Sequence, residues 1–143
     1  MRRYLDTSLL VALLVRESGT EAAKTYLSAA GDETMLASHW VITELSSALA
    51  LKRRTGSITA IEQAAALAMF RRFSTARLEL VDVEARDFDE AARLCDQAAA
   101  PLRAGDALHL ALCKRLGARV ATFDRGMATA AQCHALPCDL LAA

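Results

Sequence analysis

Short apolar segments alternate along the chain with longer amphipathic ones. The short segments are typical of β-strands, and they predict strands at residues 2–5, 35–37, 78–83 and 119–123, with a weaker one at 138–141. The longer segments carry apolar residues at helical spacing, and they predict seven helices. The first is capped by Thr7 or Ser8 and runs to Val15, and the fourth is capped by Thr59 and runs to Phe73. The other five cover residues 21–30, 41–54, 85–99, 106–116 and 127–133. Strands that alternate with helices imply parallel crossover connections. The pattern therefore predicts a three-layer α/β/α fold with a central, mainly parallel sheet of four to five strands.

Length and composition indicate one soluble domain that spans residues 1–143. The chain has 143 residues, of which 54% are hydrophobic and 24% are charged, as in an ordinary globular protein. The longest apolar runs, such as Leu9–Val15, are far too short to cross a bilayer. Asp6 interrupts the basic start of the chain before any hydrophobic region, which argues against a signal peptide. We therefore expect a cytoplasmic protein with no membrane association.

The charge balance argues against a protein that coats nucleic acid. The 17 basic and 17 acidic residues give a net charge of zero, whereas such proteins rely on a strongly positive field. A nuclease remains compatible with this balance, because a bound metal ion neutralises phosphate locally.

The four cysteines are expected to be reduced, structural thiols. Cys95 and Cys113 lie in apolar helical segments, where a free cysteine behaves as a small hydrophobic residue. Cys133 and Cys138 show no paired Cys-x-x-Cys spacing, so they do not predict a zinc site.

Four acidic residues are the strongest candidates for chemistry. Asp6 and Asp124 each follow a predicted strand, and Glu44 and Asp106 lie near the starts of predicted helices. In open α/β sheets, ligands bind in the crevice at the carboxyl ends of the strands. If the fold brings the four acids together there, they form a carboxylate bowl suited to Mg²⁺ and to chemistry on a phosphate. Taken singly, each acid has a structural explanation as a helix cap, a partner of the helix dipole or half of an ion pair.

The segments around these acids resemble a known family. Four motifs carry the resemblance, in the order Leu5-Asp6-Thr7-Ser8, Val41-Ile42-Thr43-Glu44-Leu45, Arg103-Ala104-Gly105-Asp106-Ala107-Leu108-His109 and Thr122-Phe123-Asp124-Arg125-Gly126. Their order and spacing are similar to those of the PIN-domain ribonucleases, and more closely to the VapC toxins of bacterial toxin–antitoxin pairs. One such motif would be weak, but four in sequence over nearly the whole chain are specific.

The resemblance implies an endoribonuclease that depends on Mg²⁺, with Mn²⁺ as a substitute. Asp6 and Asp106 would bind the metal directly, and Asp124 would bind it directly or through water. Glu44 would complete the shell or orient the attacking water. All four are therefore expected to be catalytic. Oxygen ligands suit Mg²⁺, which keeps several waters and takes few carboxylates.

Three hydroxyl side chains are candidates to support the acids. Thr7 and Ser8 follow Asp6, where they would either place a hydroxyl near the metal or cap the helix. Thr122 lies two residues before Asp124, so on a strand it points to the same side as that acid.

Three basic side chains near the acids have open roles. His109 lies about one helical turn after Asp106, and its apolar neighbours favour a structural role over that of a general base, which a metal-activated water does not need. Arg103 and Arg125 would contact the substrate phosphate or pair with an acid.

The resemblance also implies partners. VapC toxins act on RNA, form homodimers and are held inactive by a VapB-type antitoxin whose tail covers the acidic cleft. The predicted helices at Leu9–Val15 and Val41–Leu51 have apolar surface that would suit a groove or a dimer face, or would simply pack on the sheet.

Three alternative functions remain open on the sequence. The chain could be a PIN-fold RNA-processing nuclease outside a toxin pair, or a catalytically silent binding module in which the acids only cap helices. It could also be a phosphatase with Asp6 as nucleophile. That chemistry favours a second acid two residues later, where this chain has Ser8.

Overall fold

Five parallel strands form the central sheet of the structure, a computed structural model that describes residues 1–143. The strands are β1 (Arg3–Leu5), β2 (Met35–Ser38), β3 (Leu78–Val81), β4 (Arg119–Thr122) and β5 (Cys138–Leu140). Their spatial order is β3-β2-β1-β4-β5, and every neighbouring pair is parallel. The predicted parallel sheet is confirmed, including its weak final strand.

Seven helices cover the two faces of this sheet. They are α1 (Thr7–Leu14), α2 (Thr20–Ala29), α3 (Trp40–Arg54), α4 (Ala60–Arg77), α5 (Ala85–Asp96), α6 (Ala104–Leu116) and α7 (Arg125–Cys133). Successive strand residues point to opposite faces. Leu5 and Ala121 therefore pack with α1 to α4 in one core, while Tyr4 and Val120 pack with α5 to α7 in the other. The predicted three-layer α/β/α architecture is confirmed.

Three predicted element ends were wrong by two residues or more. Helix α4 continues to Arg77, four residues beyond Phe73, because no glycine or proline stops it. Strand β3 ends at Val81, since Glu84 already caps α5 through a capping box. Helix α5 ends at Asp96 rather than residue 99, in keeping with the extended backbone that Pro101 favours in the residue before it.

The helix starts place the acids differently from the prediction. Asp6 itself caps α1, with its carboxylate 3.4 Å from the backbone nitrogen of Ser8, so the predicted cap at Thr7 or Ser8 was wrong. The extended backbone of Asp6 at the end of β1 allows this. Asp124 likewise caps α7, which begins at Arg125 rather than Met127. Helix α6 begins at Ala104, so Asp106 lies inside its first turn.

The two helices with predicted apolar surface differ in exposure. In α1 most apolar side chains are buried in the core, whereas α3 leaves Ile42 and Leu51 about half exposed, at 46% and 53%. All four cysteines are free thiols, of which only Cys113 is buried. No helix has the length and apolarity needed to cross a membrane.

Candidate active site

The candidate site lies where the strand order of the sheet reverses. From β1 the chain moves outward to β2 and β3, and then returns to place β4 on the other side of β1. Asp6 directly follows β1, and Asp124 follows β4 after one intervening residue. Ligands of open α/β sheets bind in the crevice at such a switch point. The two strand-end acids thus face the crevice that the topology creates.

All four predicted acids line one open cleft of about 670 Å³ at this position. Asp6 and Asp124 reach it from the strand ends, Glu44 from the second turn of α3, and Asp106 from the first turn of α6. Its other lining residues include Thr7, Ser8, Trp40, Thr43, Arg103, Gly105 and Phe123. The fold therefore gathers the four acids that are dispersed along the sequence.

Asp6 is the most buried of the four cleft acids, with 4% of its surface exposed. Its Oδ2 accepts hydrogen bonds from the hydroxyls of Ser8 and Thr122, both at 2.7 Å. The Thr122 hydroxyl also accepts a 2.9 Å hydrogen bond from the backbone N–H of Asp124. Thr122 thus connects the two strand-end acids, and Ser8 and Thr122 together hold one oxygen of Asp6 in place.

Glu44 is held by two donors on one oxygen. Its Oε1 accepts a 2.8 Å hydrogen bond from the Thr7 hydroxyl, and it contacts Nε2 of His109. Burial would raise the pKa of Glu44, but the hydrogen bond and charge of His109, together with Thr7, lower this pKa below its usual value. Glu44 is therefore held ionised in the cleft.

His109 lies beneath the acids, fully buried in the core. Its Nδ1 is 2.6 Å from the Tyr4 hydroxyl, and its Nε2 contacts Glu44 and lies 3.8 Å from Oδ1 of Asp6. Burial would lower the pKa of His109, but the hydrogen bond to Glu44 and the charges of Asp6 and Glu44 outweigh burial and raise it. The buried imidazole ring thus lies under the acidic cleft, between Tyr4 and Glu44.

The sequence does not predict the Tyr4–His109–Glu44 chain. The apolar neighbours of His109 favour a structural role, and no motif marks Tyr4. The spacing of Asp106 and His109, three residues apart in one helix, places both on neighbouring positions of one helix face. That spacing was the available signal, but the partner Tyr4 is 105 residues away and only the sheet brings it close.

Asp106 and Asp124 both form ion pairs with the guanidinium of Arg103. The Nε of Arg103 is 3.1 Å from Oδ2 of Asp106, and its Nη2 contacts Oδ2 of Asp124. Burial raises the pKa of Asp106, and the negative charges of Asp124 and Asp6 raise it further. Arg103 lowers this pKa, but by less, so the pKa lies above its usual value. Arg103 therefore pairs with acids in this structure, whereas Arg125 is exposed and forms no ion pair.

The donor set of the cleft suits a hard divalent cation. Carboxylate oxygens are the ligands that Mg²⁺ takes in proteins, and the Arg103 guanidinium already places a positive charge between Asp106 and Asp124. No three Asp, Glu, His or Cys side chains converge closely enough to form a ready-made metal site. The carboxylates instead bind the hydroxyls, the imidazole and the guanidinium described above.

The family of the chain follows from comparison with known proteins. Residues 3–132 match the model of the PIN domain, which includes all four acids. The chain therefore belongs to the PIN-domain family. No curated protein matches it at a significant level.

The chain is also similar in fold to solved VapC and FitB toxins. One is VapC20 from Mycobacterium tuberculosis, a sarcin-ricin loop cleaving toxin, with 23% identity and a TM-score of 0.68 over 90% of this chain and 94% of that one. A second is VapBC2 from Rickettsia felis bound to a DNA fragment from its promoter, with 17% identity and a TM-score of 0.73 over 99% and 100%. A third is FitAcB from Neisseria gonorrhoeae, with 18% identity and a TM-score of 0.68 over 95% of each chain. At these identities the comparison establishes a VapC-like PIN fold.

Proposed function

We propose that the protein is a Mg²⁺-dependent endoribonuclease that acts as the toxin of a toxin–antitoxin pair. The observation that carries the proposal is the convergence of Asp6, Glu44, Asp106 and Asp124 on one cleft at the switch point of a PIN fold. Carboxylates gathered at this point suit metal-assisted hydrolysis of a phosphodiester. Mn²⁺ is expected to substitute for Mg²⁺.

Asp6 and Asp106 are the proposed direct ligands, and Asp124 binds the ion directly or through water. When bound, the ion makes its water easier to deprotonate and stabilises charge on the phosphate. Glu44 completes the shell or orients that water. Its ionised state, maintained by His109 and Thr7, suits either role.

The surrounding residues have positioning roles in this proposal. Ser8 and Thr122 fix one oxygen of Asp6, which holds the carboxylate in one orientation before metal binds. Arg103 and Arg125 supply positive charge for the RNA phosphate. Arg103 lines the cleft, and Arg125 follows Asp124 on the surface.

The proposal is tested with purified protein, free of any antitoxin, and with structured and single-stranded RNA. Cleavage is expected in Mg²⁺ or Mn²⁺ and not in EDTA. Asp6→Asn keeps the size of the side chain but removes a metal-binding charge, so the rate should fall by about 100-fold or more. Gel electrophoresis of labelled RNA measures the rate.

Asp89→Asn is the matched control, because it removes the same charge from an exposed site on α5. It should leave cleavage unchanged. Cleavage that persists in EDTA, or at full rate in Asp6→Asn, would overturn the metal-nuclease proposal. Absence of cleavage by a folded wild-type protein would leave the silent binding module as the better description.

The proposed partners are RNA, a VapB-type antitoxin and a second copy of the chain. Two of the similar structures, VapBC2 and FitAcB, are described as complexes of such systems. By analogy, the antitoxin would cover the acidic cleft and a homodimer would form. The half-exposed Ile42 and Leu51 on α3 offer apolar surface for either contact. We expect the protein to act in the cytoplasm.

A further inference from the structure

Arg103 joins two acids that come from different helices. It caps α6, and its guanidinium bridges Asp106 in the first turn of that helix and Asp124 at the cap of α7. Both acids line the cleft with Asp6. The singly charged guanidinium of Arg103 therefore occupies the space between two of the proposed metal ligands.

The guanidinium is held loosely compared with the acids that it joins. The Arg103 side chain is 77% exposed, whereas Asp106 is 14% exposed and Asp124 is 23% exposed. Asp124 is also fixed by a 3.0 Å hydrogen bond from the backbone N–H of Met127. An exposed arginine contributes little by ion pairing, because water and salt screen its charge. The acids therefore form the rigid part of this site and Arg103 the displaceable part.

We propose that Arg103 is a resident counter-ion that a divalent cation must displace from Asp106 and Asp124, so that this residue sets the metal concentration the protein requires. The inference rests on the metal site of the proposed function. Without a cation between them, the two carboxylates repel each other across the cleft. Arg103 relieves that repulsion in the metal-free protein and competes with the metal for the same oxygens.

Removing the arginine should therefore strengthen metal binding. In Arg103→Gln the metal no longer competes with two ion pairs, and the dissociation constant for Mn²⁺ should fall by about tenfold. Arg103→Lys keeps the charge but lacks the planar guanidinium that reaches both acids at once. Its affinity for Mn²⁺ should therefore lie between those of the wild type and Arg103→Gln.

The experiment is isothermal titration of each protein with Mn²⁺ alone, without RNA. Arg125→Gln is the matched control, because it removes the same charge beside Asp124 from a side chain that has no ion pair. Its dissociation constant for Mn²⁺ should stay within about twofold of the wild-type value, because the substitution breaks no ion pair and so frees no carboxylate. Circular dichroism verifies that each variant is folded.

The outcomes separate this inference from the nuclease proposal. A tenfold gain in Arg103→Gln but not in Arg125→Gln supports the inference even if the protein does not cleave RNA. Equal affinity in wild type and Arg103→Gln, or equal gains in both glutamine variants, overturns it while metal-dependent cleavage still stands. Failure of every variant to bind Mn²⁺ overturns both the inference and the metal site on which it rests.

Discussion

Gly105 lets the Glu44 carboxylate approach helix α6. A Cβ atom at position 105 would lie 2.8 Å from Oε2 of Glu44 and 3.3 Å from Nε1 of Trp40. The first distance is too short for any real contact. The carboxylate is the flexible end of its side chain, so it would move while the backbone stayed in place. Gly105 therefore leaves the space that the Glu44 carboxylate occupies.

We expect Gly105→Ala to lower activity much more than stability. Alanine favours a helix over glycine by up to about 1 kcal/mol, which offsets part of the cost of disturbing the Glu44 contacts, so the melting temperature should change little. The displaced Glu44 should cost about tenfold or more in cleavage rate, since small misplacements of a reacting group are costly. Thermal melts and RNA cleavage assays measure the two effects.

The same substitution in a Glu44→Ala background is the control. There Gly105→Ala has no carboxylate to displace, so it should change the rate little. An equal loss in both backgrounds would show that Gly105 acts on something other than Glu44.

At the scale of elements, an ion pair between α5 and α6 stands apart from the cleft. Asp87, buried in the first turn of α5, accepts hydrogen bonds of 2.7 and 2.8 Å from the guanidinium of Arg115 near the end of α6. It also accepts a 2.8 Å hydrogen bond from the backbone N–H of Glu84. Burial would raise the pKa of Asp87, but Arg115 and the Glu84 N–H outweigh burial and lower it. The Asp87–Arg115 ion pair therefore links α5 to α6, which pack in the same core.

Asp87→Asn should destabilise the protein at pH 7 by about 2–3 kcal/mol, because it breaks two charged hydrogen bonds and leaves Arg115 only its ion pair with Glu84. The lowered pKa of Asp87 means that its contribution is complete above the unfolded pKa, near 4. It is lost as the pH falls through the lower folded pKa. The difference between wild type and variant should therefore shrink below about pH 4. Urea unfolding at several pH values measures it.

Asp89→Asn, on the exposed side of the same helix, should change stability by less than about 0.5 kcal/mol. A destabilisation by Asp87→Asn that stayed constant down to the lowest pH would contradict the assignment to the charge of this carboxylate.

At the scale of the whole molecule, the sheet order creates the cleft and the helices supply the rest of it. Strand β1 lies between β2 and β4, so acids at the ends of β1 and β4 meet. Helices α3 and α6, on opposite sides of the sheet, each contribute one further acid. The cleft thus belongs to the complete fold and to no single motif.

Producing the chain alone in a bacterial host should arrest growth if the proposed toxin function is right. Asp6→Asn, made to the same soluble level, should not arrest growth, because the proposed metal site has lost a ligand. Co-production of the cognate antitoxin should restore growth of cells that make the wild type. Colony counts and optical density measure the effect. Normal growth despite abundant soluble wild-type protein would count against the toxin role but not against RNA cleavage.

The sequence predicted the elements and the acids better than it predicted their contacts. Alternating apolar segments suffice for strands and helices, and Asp6 and Asp124 at strand ends indicated the edge of the sheet. The bridge from Arg103 to Asp124 and the contact of Tyr4 with His109 depend on the order of the strands, which periodicity does not encode. Helix ends without a glycine or proline, such as that of α4, also escaped prediction because local propensity changes little there.

The central position of β1 has a consequence for the newly made chain. Asp6 is translated well before Thr122, because the Thr122 hydroxyl that holds it lies 116 residues later in the chain. Contacts of such long range form late in folding, because a long loop must close before they form. A ribosome-bound chain that has not yet reached β4 has no neighbour on one side of β1 and lacks Asp124. The cleft is therefore completed only after the segment that carries β4 and Asp124 has been made.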